Sequence, residues 1–262
     1  MSMKIMAGIV QFDVKTGARA FNLKSALAGI RRLGDRGAKL AALPEMWSCG
    51  FDYENLADHA RATPEILESL TEKAREYRMT LVGSLPENTG EGIANTAFVV
   101  DSTGIRSLAY RKVHLFSPTG EHRHFTAGDR AVVVETDVGK IGLIICYDLR
   151  FPELARKTAE MGADIIVIPA QWPTARARHW DVLLTARAIE NQLFVVAANR
   201  CGQDRGTVFA GHSAITSPWG QTLARAGTRP AAIMAELDLD EIALFREKIP
   251  CWKDRKPLAY EQ

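Results

Sequence analysis

The sequence predicts an α/β protein in which two sheets pack face to face with helices on their outer sides. Three observations point there. In the middle of the chain, short apolar runs alternate with amphipathic segments, the order expected of a partly parallel sheet covered by crossover helices. Segments 80–111, 131–146 and 211–237 read instead as successive strands joined by turns, which adds antiparallel pairs. The count reaches about a dozen strands, many for one sheet, and two stacked sheets accommodate them.

Residues 4–12 read as the first strand. Residues 20–36 read as a helix because Leu23, Leu27, Ile30 and Leu33 recur at steps of three or four. A short strand over 39–43 stops at Pro44. A helix over 64–78 takes Thr63 as its N-cap and Glu65 in its first turn. Strands follow at 80–85, 96–101 and 105–111, the last two around a turn at 101–104 rich in Asp, Ser, Thr and Gly. Strands 131–136 and 140–146 flank Asp137 and Gly139. A helix over 152–161 ends at Gly162, and 164–168 reads as a buried strand. Helix 175–193, strand 194–199, strands 211–216, 221–226 and 232–237, and helix 239–248 complete the pattern. The stretch 250–262 has no periodicity and reads as a tail that packs on a neighbour or another subunit. No Pro/Gly/Ser-rich linker divides the chain, so residues 1–262 are read as a single domain.

Lys and Arg total 33 against 31 Asp and Glu, a net charge of +2. Without a basic surplus, neither nucleic-acid binding nor attachment to an acidic membrane is expected. Cys49, Cys146, Cys201 and Cys251 are widely spaced and form no CxxC pair, which fits a reducing, cytoplasmic setting. The first residues lack the apolar core and cleavage site of a signal peptide. No apolar run approaches the ~20 residues that span a bilayer.

The sharpest chemical signal is the run GLIICYDLRFPE from Gly142 to Glu153. An apolar strand delivers Cys146 to its carboxyl end, where ligand sites of α/β sheets lie, and the chain then turns into a helix at Pro152. A thiol at that turn is placed to act as a nucleophile, with the following backbone N–H aimed at a developing oxyanion. An inert core cysteine is the competing reading. Histidine is the usual partner base, but none of His59, His114, His122, His124, His179 and His212 has a recognised protease setting. His122 and His124 lack further ligands at zinc spacing and read as a polar loop. Glu45 and Lys112 each end a strand, and each alone reads more readily as a cap or a solvated surface group. With Cys146 they make chemical sense. A carboxylate can take the thiol proton and return it to a leaving amine, and a cation favours both thiolate and an anionic tetrahedral centre.

Three blocks, LPEMW around Glu45, YRKVHLF around Lys112 and ICYDLRFPE around Cys146, resemble the signatures of the nitrilase superfamily of carbon–nitrogen hydrolases. They fall in the order Glu, Lys, Cys, 67 and 34 residues apart, and the resemblance covers essentially the whole chain. It implies a four-layer α-β-β-α sandwich with two mixed sheets, and assembly into a homodimer or higher homo-oligomer. It implies that Glu45 is the general base, Lys112 the oxyanion-stabilising cation and Cys146 the nucleophile, with the backbone N–H of Tyr147 as second oxyanion donor. Glu121, in PTGEHRH, matches a second glutamate that positions the lysine and the substrate. No metal or organic cofactor is implied.

The blocks at 116–124, 171–173, 179–192 and 211–220 resemble the ω-amidase branch, which releases ammonia from the side-chain amide of 2-oxo acids such as 2-oxoglutaramate. Tyr147 and Asp148 stand where true nitrilases carry Trp and Glu, which favours an amide over a nitrile substrate. An N-carbamoyl compound or another small linear amide is the alternative substrate. An interaction protein that keeps only the fold is the alternative class, and the three intact blocks stand against it. Phe116 and Trp172 are expected to line the pocket, although Trp172 reads equally as a packing or interface residue. Arg150 and Glu153 are expected to pair and fix the cysteine turn. Cys49, Cys201 and Cys251 read as bystanders, and His179 and Trp180 as packing or interface residues.

Overall fold

The computed structural model describes residues 3–260, with the backbone alone at 106–109. In chain order the first half comprises β1 (Lys4–Gln11), α1 (Arg19–Gly34), β2 (Leu40–Ala42), α2 (Leu56–Tyr77), β3 (Thr80–Asn88), β4 (Ile93–Val100) and β5 (Arg106–Arg111). The second half adds β6 (Val133–Thr136), β7 (Gly139–Leu143), α3 (Pro152–Glu160), β8 (Ile165–Ala170), α4 (Ala177–Asn191) and β9 (Phe194–Asn199). It continues through β10 (Gln203–Asp204), β11 (Thr207–Val208), β12 (Ala214–Thr216), β13 (Thr222–Arg225), β14 (Ala231–Asp238), α5 (Asp240–Lys248) and α6 (Cys251–Asp254).

Two six-stranded mixed sheets result, ordered β14-β1-β2-β3-β4-β5 and β13-β12-β9-β8-β7-β6, with β10 and β11 as a separate hairpin. Each sheet has three parallel strands at its centre, β1-β2-β3 and β7-β8-β9, flanked by antiparallel ones. The period of two along each strand sorts its side chains between layers. Ile5, Ala7, Ile9, Leu40, Ala42, Val82 and Val99 join the large cluster shared with β7, β8 and β9. The alternate residues Val10, Ala41, Leu43, Leu81 and Val100 pack with Ile30 and Leu33 of α1 and Ile66, Leu67 and Leu70 of α2. Leu154 and Ala155 of α3 and Trp180, Leu184 and Ala188 of α4 pack on the second sheet. The layers are therefore α-β-β-α. Helix α1 approaches β1 closely because residue 29 has no side chain: a methyl group there would lie 2.1 Å from Val10 Cγ1.

Helix α2 departs from the expected start at Pro64. It begins eight residues earlier and carries Pro64 in its interior. Leu56, His59, Ala60, Thr63, Ile66, Leu67 and Leu70 are all buried at steps of three or four, and this continuous stripe outweighs the backbone bond that proline removes. Thr63 is consequently not an N-cap. Its hydroxyl donates to the Pro86 carbonyl at 2.6 Å. The stretch after residue 250 is more ordered than its composition indicates, with α6 and a 3₁₀ turn at Pro257–Ala259. Trp252 packs on the main core and meets the guanidinium groups of Arg156, Arg246 and Arg255 at 5.0, 5.2 and 5.3 Å. Among the described residues no helix is long and apolar enough to cross a membrane.

Candidate active site

The carboxyl ends of the central parallel strands of both sheets meet at one place. Pro44 and Glu45 follow β2, and Cys146 opens a 3₁₀ turn (Cys146–Arg150) just after β7. Cys146 has φ 45 and Met46, directly after Glu45, has φ 43. Left-handed backbone costs a non-glycine residue about 1–2 kcal/mol, so the fold holds both strand ends against local strain.

The cysteine turn is tied down by Asp148, which is fully buried. Its Oδ2 accepts the Ile145 N–H at 2.9 Å and the Tyr110 hydroxyl at 2.7 Å. Its Oδ1 accepts the His114 backbone N–H at 2.9 Å and lies 2.8 Å from His114 Nδ1. Burial and then the Asp148 charge push the Tyr110 phenol far up, so it remains a donor. Tyr110 and His114 flank Lys112, and one carboxylate thereby links the thiol-bearing turn to the lysine segment. The expected Arg150–Glu153 pair does not form. Glu153 is exposed, while the Arg150 guanidinium lies 4.7 Å from the Trp172 ring centre. A fully buried carboxylate with several donors fixes the turn better than a pair at its solvated edge.

Glu45 and Lys112 are completely buried and Glu121 almost so. Lys112 Nζ donates to Glu45 Oε1 at 2.8 Å and to Glu121 Oε2 and Oε1 at 2.8 and 3.1 Å. Glu45 Oε1 also accepts from Asn95 Nδ2 at 2.8 Å, and Glu45 Oε2 from the Gln171 N–H at 3.0 Å. The Phe116 N–H donates to Glu121 Oε2 at 3.1 Å. Burial works against the Lys112 charge, but the Glu45 and Glu121 carboxylates outweigh it and hold the ammonium well above its usual range. Glu121 is pushed up by burial, then pulled back in part by Lys112. Cys146 keeps some contact with solvent through the pocket, yet burial and then the Glu45 charge push its thiol well above the usual value. The resting site thus holds a neutral thiol beside a carboxylate, which suits a proton transfer coupled to attack.

These groups open onto a cavity of about 250 Å³. Glu45, Glu121 and Cys146 lie on its surface together with Phe116, Tyr147 and Trp172, while Lys112 sits behind them. Both readings of Trp172 meet here: it faces the cavity and is also packed, its N–H groups bonding Asn199 Oδ1 and the Arg176 carbonyl. Arg150 and Arg176 also line the cavity, and neither has a carboxylate partner among the described residues. Burial and then the Arg176 charge lower the Arg150 guanidinium from its usual value. The β10–β11 hairpin supplies Arg205 and Phe209 to the rim, held by Thr16 Oγ1 to Asp204 Oδ2 at 2.5 Å and by Arg205 to Asp52 at 3.8 Å. Trp180 is fully buried and donates to the His212 carbonyl, which makes it a packing residue. Cys49 and Cys201 are buried away from the cavity surface and Cys251 is exposed.

Asn95, Asp148 and the hairpin were not singled out as site elements from sequence. Asn95 is the large polar side chain in the apolar run IANTAFVV, a signal that burial of a polar group was needed there. The hairpin offers no such signal, because its strands are two residues each and mostly polar.

A model of the carbon–nitrogen hydrolase family matches residues 6–247. The 2-oxoglutaramate amidase of Bacillus subtilis (strain 168) is 39% identical over 259 residues, covering 98% of this chain and 100% of that protein. Omega-amidase NIT2 of Homo sapiens is 32% identical over 263 residues, covering 96% and 95%. The crystal structure of a carbon–nitrogen hydrolase from Helicobacter pylori G27 superposes with a TM-score of 0.90 at 26% identity, covering 97% of this chain and 96% of that one.

Proposed function

The chain belongs to the carbon–nitrogen hydrolase family, and from that premise we propose that it hydrolyses the side-chain amide of a small carboxylic acid, such as 2-oxoglutaramate, through a thioester on Cys146. The observation that carries this is the buried Glu45–Lys112–Glu121 cluster opening, with Cys146, onto a single cavity. Cys146 Sγ attacks the amide carbonyl as Glu45 accepts the thiol proton. The tetrahedral oxyanion is stabilised by Lys112 and by the Tyr147 N–H. Glu45 returns its proton to the nitrogen, the C–N bond breaks and ammonia leaves. Glu45 then takes a proton from water, whose oxygen attacks the thioester, and the acid departs as the thiol is regenerated. Glu121 holds Lys112 through both carboxylate oxygens and keeps its charge in place.

The relatives named for 2-oxoglutaramate and ω-amides support an anionic substrate, and so do Arg150 and Arg176 at the cavity, which have no carboxylate partner among the described residues. Phe116 and Trp172 then enclose the methylene chain between carboxylate and amide. The test is ammonia release from 2-oxoglutaramate, 2-oxosuccinamate, short N-carbamoyl acids and simple nitriles. Turnover of the 2-oxo amides, abolished in Cys146→Ala, is expected. An active Cys146→Ala removes the mechanism, and turnover confined to the N-carbamoyl acids removes the substrate class. The same reading extends to self-association, to which the exposed Val182 and Ile189 on one face of α4 lend support, and to a cytoplasmic setting in which four free thiols stay reduced.

A further inference from the structure

Gln171 and Arg200 directly follow β8 and β9, two neighbouring parallel strands, and both are buried. Gln171 grips Glu45 twice, its backbone N–H on Oε2 at 3.0 Å and its side-chain Nε2 on the Glu45 carbonyl at 2.9 Å. The Glu45 N–H answers on the Ala170 carbonyl. The remaining atom of the Gln171 amide, Oε1, accepts from Arg200 Nη1 at 2.9 Å. Arg200 is itself immobilised. It donates to the Val14 carbonyl, to Asp13 Oδ1 at 3.3 Å and to the Cys201 carbonyl at 3.4 Å, and its guanidinium lies 4.0 Å from the Phe209 ring centre.

We infer that Arg200 is a positioning residue for the amide hydrolysis, acting through Gln171 to hold the Glu45 carboxylate against the Cys146 thiol. The two oxygens of Glu45 are not equivalent. Oε1 takes two donors, Lys112 and Asn95, whereas Oε2 takes one among the described residues, the Gln171 N–H. Oε2 therefore keeps a lone pair for the thiol proton. Gln171 thus clamps the base at the cavity that Cys146 also lines, and its placement sets the direction of Oε2. A glutamine side chain has several free torsions, and Arg200 removes that freedom by fixing its far end. A guanidinium without solvent is costly unless its donors are used, and here one is spent on a neutral amide two links from the base. Among the described residues, the other titratable groups around Glu45 are Lys112, Glu121, Cys146 and Tyr53, and none of them bonds Arg200.

The inference rests on Glu45 acting as the base. Its test is steady-state kinetics of Gln171→Met, Arg200→Met, Arg200→Lys and the double Gln171→Met/Arg200→Met on 2-oxoglutaramate. Gln171→Met preserves the backbone N–H and the side-chain length. It is expected to lower kcat about tenfold with KM changed less than about twofold, because misplacement of a reacting group acts on the chemical step. The double variant loses no more than the worse single one, and Arg200→Lys recovers part of what Arg200→Met loses. Wild-type kcat in Gln171→Met overturns the relay, as do additive losses near one hundredfold in the double variant. If Arg200→Met fails to fold, Gln171→Met decides alone. Glu45→Gln separates the two levels. Full activity in it removes the base, whereas an inactive Glu45→Gln beside a normal Gln171→Met removes only the relay.

Discussion

Lys112 satisfies two carboxylates at once, and among the described residues neither Glu45 nor Glu121 has another cation in contact. Replacing it with Met leaves two buried carboxyl groups facing each other. Stability should fall by about 3–5 kcal/mol, read from the urea midpoint, as expected when one partner of a buried ion pair is removed. Turnover should fall by at least ~10²-fold, the usual effect of losing one oxyanion donor. The direction of the lysine shift also fixes a pH window. A raised folded-state pKa means that the stabilisation is complete below the ordinary value of 10.5 and is lost only as pH rises through the higher folded value. Profiles of kcat/KM are therefore expected to show no lysine limb below about 10, and a limb there that disappears in Lys112→Met would contradict the assignment. Glu45, Lys112, Glu121 and Cys146 were legible in the sequence because each sits in a local block. Gln171 and Asn95 were not legible as their partners, because their contacts with Glu45 bridge 126 and 50 residues of chain and nothing local encodes that approach.

Among the elements, the helices α1, α3 and α4 and most strands follow from periodicity, whereas α2 shows where the pattern misleads. Proline marked a start by local rules, and burial of Leu56, His59 and Ala60 overrode them. The hairpin β10–β11 escaped notice because two-residue strands carry no period. Two element-scale predictions follow from close fits. Gly29→Ala forces a methyl into Val10 and should cost about 1–3 kcal/mol by displacing α1 from β1, measured by thermal or urea unfolding. Asp148→Asn keeps the shape of the cysteine turn but places an amide donor among the donors from Ile145, Tyr110 and His114. It should lose about 1–3 kcal/mol of stability together with activity. Unchanged stability there would mean that the turn is held by other contacts.

On the scale of the whole molecule, the site belongs to neither sheet. Glu45 and Lys112 come from the first and Cys146 and Gln171 from the second, so the distances between them are set by how the two sheets seat on their shared core. Leu143 is fully buried in that core three residues before Cys146. Leu143→Ala should cost about 2–5 kcal/mol by leaving a cavity, seen as a lower urea midpoint at unchanged m-value. The sandwich was legible in outline because strand number and alternation demanded two sheets, while the partner of β1 was not. That partner is β14, paired along the full length of both strands from Lys4 opposite Asp238 to Gln11 opposite Ala231. The feature has a meaning for synthesis. Strand β1 leaves the ribosome long before β14, with one row of its N–H and C=O groups unfilled while more than two hundred residues are added. An open strand edge of that length invites pairing with another nascent chain. Chains truncated before residue 231 should therefore yield aggregates and not inactive monomers, and the dependence of the growing chain on chaperones should end when β14 emerges.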